Sequence, residues 1–145
     1  MSDFRHLDDH IMVSPQISLS DIHTAKAQGV RLIINNRPDD EDPGQLTGAE
    51  VEAAACAAGI TYLSIPVGHA GFGDAQVAAM ASALHGADGR VLAYCRSGTR
   101  STLLWALSQA HQGRDPDALA AAAKSAGYDV SPVHQAMKAL AAKTE

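Results

Sequence analysis

The stretch VLAYCRSGTRS, Val91–Ser101, carries an apolar run straight into a loop of arginine, glycine and hydroxyl side chains. A lone cysteine at the end of a strand is usually a small core residue. The residues after Cys95 argue for more. Gly98 permits a backbone angle that other residues resist, and a helical pattern begins near Thr99. The amides of Arg96, Ser97, Gly98, Thr99 and Arg100 can then converge on one point. Such a run makes an anion-binding nest, to which the helix N-terminus adds positive partial charge. A thiol held there loses its proton more readily. Arg100 can fork two N–H groups onto an oxyanion, and Ser101 can donate a hydrogen bond to the sulfur. Cys95, Arg100 and Ser101 are therefore the expected catalytic residues. Arg96, Ser97, Gly98 and Thr99 are the expected oxyanion cradle. The second cysteine, Cys56, lies in the alanine-rich AAACAAG with nothing to activate it and reads as packing.

Outward from this loop, apolar runs alternate with helical patterns. Ile11–Gln16, Val30–Asn36, Ile60–Pro66 and Arg90–Cys95 read as strands, each bounded by turn signals. Between them lie helices opened by Ser18 or Ser20, by a Thr47–Glu50 capping box, and by Asp74 as cap. Three helical patterns close the chain, near Thr99–Gln112, Asp115–Ala126 and Ser131–Lys143. This order predicts an α/β/α three-layer domain spanning 1–145, with a mainly parallel sheet of about four strands. In such sheets sites form at the carboxyl ends of the strands, which is where Cys95 falls.

The rest of the composition excludes several classes. The 145 residues are 46% apolar but only 4% aromatic, which favours close helix packing. A net charge of −5 leaves no nucleic-acid footprint. No run approaches a membrane span, and MSDFRHLDDH is too polar and acidic for a signal peptide. Two cysteines without such a signal fit a cytoplasmic protein with free thiols. The histidines show no ligand spacing, so neither metal nor cofactor is expected.

CRSGTR, Cys95–Arg100, resembles the active-site loop of rhodaneses, which are sulfurtransferases. The wider frame resembles tyrosine and dual-specificity phosphatases, in which a glycine lies three residues after the cysteine and an arginine six after. Here Arg100 comes only five after Cys95. LIINNRPDDE and GITYLSIPV also resemble phosphatase segments. Taken together, the three motifs are similar to a bacterial family whose members occur alone or fused in front of β-lactamase-like hydrolase domains, described as phosphatase-like or as sulfurtransferases. The resemblance covers roughly Ile11–Leu107.

It implies a cysteine-nucleophile enzyme on a phosphatase-like fold. Two departures lean the reaction towards sulfur. The short loop suits a persulfide, and His69 with Gly68 stands where phosphatases of this frame place an acidic aspartate. The first expectation is thus a sulfurtransferase carrying sulfane sulfur on Cys95, with a small oxyanion or persulfide as donor and a thiol as acceptor. The alternatives are a phosphatase working through a cysteinyl-phosphate, and a non-catalytic oxyanion- or phosphopeptide-binding module. His69 is the possible general acid or a bystander in an exposed loop. Arg37 lines the site and pairs with a carboxylate, or belongs with Asp39–Asp42 to a solvated charged loop. Tyr94 replaces the phosphatase histidine and supplies bulk.

Overall fold

The computed structural model describes residues 2–68 and 70–144, apart from the side chain of Thr144. The four expected strands are present as β2 (Ile11–Ser14), β3 (Val30–Asn35), β4 (Thr61–Ser64) and β5 (Arg90–Tyr94). They are joined by α1 (Leu19–Ala27), α2 (Gly48–Ala57) and α3 (Asp74–Gly86). A two-residue strand, β1 (Arg5–His6), pairs antiparallel with β2 at the edge. Its side chains are exposed, so no apolar run announced it. The sheet order is β1-β2-β5-β3-β4, and β2, β5, β3 and β4 are mutually parallel. The chain finishes with α4 (Thr99–His111), α5 (Pro116–Ser125), a 3-10 turn at Ser131–Val133 and α6 (His134–Thr144).

Strand alternation builds the two faces. Ile11, Val13, Leu32, Ile34, Val91 and Ala93 pack towards α3, α4, α5 and α6. Met12, Ile33, Leu92 and Tyr94 pack towards α1 and α2. Val30 joins the second face against strict period-two alternation, and a register shift between Val30 and Leu32 accounts for it. Such a slip turns Arg31 out to solvent without moving the core. Helix α4 is the central pillar: Leu104, Trp105 and Ala106 have no solvent exposure. Leu119, Ala123 and Met137 from the last two helices close over it. No described helix is long and apolar enough to cross a membrane.

Two local expectations need correction. Asp74 does not cap α3; Gly73 is the cap residue, and the Gln76 side chain accepts from its N–H. The three-residue spacing that closes a capping box is met by Gly73 and Gln76, so Asp74 becomes the first helical residue. Cys56 is not a packing residue; it is exposed, because the buried face of α2 is carried by Val51 and Ala55.

Because β5 lies between β2 and β3, its carboxyl end sits mid-sheet, flanked by the ends of both neighbours. Cys95 comes directly after β5, and its N–H donates to the Ser14 carbonyl at the end of β2. Asn36, just past β3, donates its N–H to the Tyr94 carbonyl. The topology thus gathers three loops at one point, those after β2, β3 and β5.

Candidate active site

Cys95 is fully buried, and its sulfur accepts the Gly98 N–H at 3.1 Å. This bond depends on the left-handed turn at Gly98, φ +91°, which directly precedes α4. An L-residue there costs roughly 1–2 kcal/mol in backbone strain alone. The Thr99 N–H is taken by Ser97 Oγ at 3.3 Å. Among the described residues, the amides of Arg96, Ser97, Arg100 and Ser101 find no acceptor within the protein. They are the orphan donors that a loop running into a helix must leave, and they sit in the loop that carries the sulfur.

Arg100 leaves the first turn of α4 and is held from its far end. Nη1 donates to Glu41 Oε2 at 2.6 Å and to the Val67 carbonyl at 2.7 Å; Nη2 donates to Glu41 Oε1 at 2.7 Å. A guanidinium has five N–H groups. Three are used here, and the two left, on Nε and Nη2, lie parallel along one edge, the geometry of a bidentate oxyanion fork. The Arg100 pKa is raised, first by its hydrogen bond to Glu41 and further by the Cys95 sulfur, with burial opposing. Cys95 and Arg100 are therefore brought together.

Glu41 is the residue that sequence reasoning missed. Of the two readings of Arg37 and Asp39–Asp42, pairing with a carboxylate fits better than a solvated loop, because Arg37 is buried and spends its donors inward, but the sequence did not single out Glu41. Its Nε reaches Glu41 at 2.9 Å, Nη1 reaches Gln16 at 2.9 Å and Nη2 reaches Asp42 at 2.6 Å. Arg37 thus supports Glu41, and Glu41 supports Arg100. The signal was available as the i,i+4 spacing of Arg37 and Glu41 directly after a strand that neighbours β5. Arg96 turns outward, two-thirds exposed, with Nε 3.3 Å from Asp42.

Ser101 does not donate to the sulfur as expected. Its single proton goes to Asn36 Oδ1 at 2.8 Å, while Asn36 Nδ2 donates to the Ile65 carbonyl at 2.9 Å. A buried amide oxygen needs a donor, and Ser101 is the one that reaches it. The pair ties the first turn of α4 to the ends of β3 and β4. Tyr94 turns into the α1–α2 face, where burial pushes its hydroxyl pKa up. His69 lies outside the described residues.

The Glu41 carboxyl is held down to about 2 from its ordinary 4.5, first by the hydrogen bond from Arg100 and then by Arg37, against the cost of burial. A lowered native pKa means that the unfolded chain binds more protons between these values. Stability from this pair is fully present above pH 4.5 and drains away as pH falls towards 2. Chemical denaturation of wild type and Glu41→Gln across this range should show the stability difference narrowing with acid. A pH-independent difference would show that the carboxylate charge contributes nothing.

Residues 3–112 match the family described as "Beta-lactamase hydrolase-like protein, phosphatase-like domain". A beta-lactamase hydrolase-like protein of Agrobacterium fabrum is 36% identical over 108 residues, covering 74% of this chain. The same match covers 25% of that protein, so the chain spans about a quarter of its relative's length. A crystal structure from Neisseria meningitidis, described as a candidate phosphatase, superposes with a TM-score of 0.84 at 30% identity, covering 97% of this chain and 99% of the other. TpbA of Pseudomonas aeruginosa, solved as a variant with phosphotyrosine bound, shares the fold at a TM-score of 0.68 and 19% identity, covering 98% of this chain and 90% of that one. The architecture is that of tyrosine and dual-specificity phosphatases, as the resemblance implied. With its cysteine–arginine loop at the centre of that sheet, the chain belongs to the phosphatase-like domain family of beta-lactamase hydrolase-like proteins.

Proposed function

We propose that the chain is a phosphoric monoester hydrolase that works through a cysteinyl-phosphate on Cys95. The observation that carries this reading is the donor accounting at Arg100: its far end is consumed by Glu41 and Val67, which leaves one fork uncommitted on a side chain whose charge the Cys95 sulfur stabilises. The comparisons support this alternative over the sulfurtransferase that loop length favoured.

In the first step the Cys95 thiolate attacks phosphorus in line. The S–P bond forms as the ester P–O bond breaks, and the leaving oxygen takes a proton from an acid. The orphan amides of the loop and the Arg100 fork hold the three non-bridging oxygens, where charge is stabilised most in the transition state. In the second step water attacks the cysteinyl-phosphate and gives its proton to the same group. The S–P bond breaks, releasing inorganic phosphate and restoring the thiolate.

The proton donor belongs to the segment after β4, which begins at the site because the Val67 carbonyl holds Arg100. His69 and Asp74 are the titratable side chains between residues 67 and 74. Asp74, exposed and freed from capping, competes for the role with His69. The variant that removes the acid, His69→Ala or Asp74→Asn, should lose about 10²-fold on an alkyl phosphate and far less on an activated aryl phosphate. Equal losses on both substrates in both variants would place the acid elsewhere.

The test of the reaction class is steady-state turnover of an aryl phosphate beside thiosulfate-dependent sulfur transfer to a thiol. Hydrolysis with competitive inhibition by vanadate supports the proposal. Sulfur transfer without hydrolysis would replace it, and anion binding with neither activity would make the chain a binding module.

A further inference from the structure

The catalytic loop is held from a part of the chain that the family match does not reach. Tyr128, between α5 and the 3-10 turn, lies beyond residues 3–112. Its hydroxyl donates to the Ser97 carbonyl at 3.2 Å. The same peptide unit carries the Gly98 N–H that donates to the Cys95 sulfur at 3.1 Å. In a planar trans peptide, the carbonyl and the N–H point in opposite directions. Fixing one outward therefore fixes the other inward.

That peptide has reason to need fixing. A unit followed by glycine at positive φ lies between two common turn forms, which differ by rotation of that peptide. Gly98 has φ +91°, so the rotated form is sterically open to it. Rotation would replace a donor with a carbonyl oxygen facing the sulfur and any bound oxyanion. The Tyr128 hydroxyl also occupies the place where a Gly98 side chain would begin, so the two residues are fitted to each other. Tyr128 is braced in turn. The Arg5 guanidinium lies 5.5 Å from the centre of its ring, and Arg5 Nη1 donates to the Ala126 carbonyl at 3.2 Å.

We infer that Tyr128 is a positioning residue that latches the Ser97–Gly98 peptide with its N–H on Cys95, so that residues 113–144 complete the anion cradle. The inference rests on the proposed phosphatase reading for its kinetic readout alone; its binding readouts stand without it. The test is Tyr128→Phe in a Cys56→Ser background, which leaves Cys95 as the single thiol. Phenylalanine keeps the ring and its packing, so the unfolding midpoint should hold.

Loss of the one hydrogen bond should weaken inorganic phosphate binding, measured by calorimetry, by about tenfold. Alkylation of Cys95 by iodoacetate should slow by a similar factor, about tenfold, and kcat on an aryl phosphate should fall with it. A generally loosened structure would do the opposite to alkylation, exposing the buried thiol and speeding its reaction. Unchanged phosphate affinity and unchanged alkylation in Tyr128→Phe would overturn the latch, as would faster alkylation. If wild type binds phosphate but hydrolyses no ester, while Tyr128→Phe still loses affinity, the latch stands and the phosphatase reading fails.

Discussion

Cys95→Ser is expected to reduce ester hydrolysis to background while leaving inorganic phosphate bound. A serine hydroxyl stays protonated near neutral pH and is a poor nucleophile towards phosphorus, so neither the S–P intermediate nor an oxygen counterpart forms at a useful rate. The anion site should survive, because it is made from groups that the substitution does not touch: the orphan amides at the start of α4 and the free edge of Arg100. Initial rates on an aryl phosphate, with phosphate affinity by calorimetry, separate the two effects. Turnover within about tenfold of wild type would point to another nucleophile. Loss of both turnover and affinity would mean that the sulfur itself holds the loop in shape.

Arg100→Lys is expected to be nearly as severe. Lysine carries the charge but has one compact ammonium in place of two planar forks. It must choose between Glu41 and the substrate, whereas Arg100 serves Glu41 and the Val67 carbonyl and still keeps an edge free. The expected loss in kcat/KM is about 10³-fold, the scale of removing a donor aimed at developing negative charge. Most of it should appear in kcat, because the fork matters most as charge spreads over the transferring group. A variant that raises KM with kcat unchanged would show Arg100 to be a ground-state binding residue only.

Much of this architecture was legible in the residues. Ile11–Ser14, Val30–Asn35, Thr61–Ser64 and Arg90–Tyr94 are short apolar or half-apolar runs between turn signals, and each forms a strand of the parallel sheet. The sequence left Ser18 and Ser20 both open as the first cap, and the structure places it at Ser18, with Asp21 as its partner. The Thr47 cap declares itself through its acidic partner three residues on, Glu50. Arg5–His6 does not, because a two-residue exposed strand buries nothing and leaves no periodic trace.

The site was half legible. Cys95, Gly98 and Arg100 are adjacent in sequence, and local geometry fixes what they can do. Glu41 and Tyr128 come from 59 and 31 residues away from their partners Arg100 and Ser97, and only the tertiary fold brings them in. Loop length is a weak guide for a related reason. Counting residues from Cys95 to Arg100 treats the cradle as a closed ring of fixed circumference. In the structure α4 begins at Thr99, and Arg100 is a long side chain on its first turn, steered by Glu41 and Val67. The placement of Arg100 is therefore set by partners outside the loop, and a missing residue between glycine and arginine does not by itself choose sulfur over phosphorus.

If Cys95 carries a phosphoryl group during turnover, rapid acid quench of the protein with an aryl phosphate should trap it. Intact mass and peptide mapping then read the outcome. The expected result is a mass gain of one phosphoryl group, confined to the peptide containing Cys95 and absent from Cys95→Ser. A protein that gains no phosphoryl group yet gains one sulfur atom at Cys95 from thiosulfate would contradict the cysteinyl-phosphate.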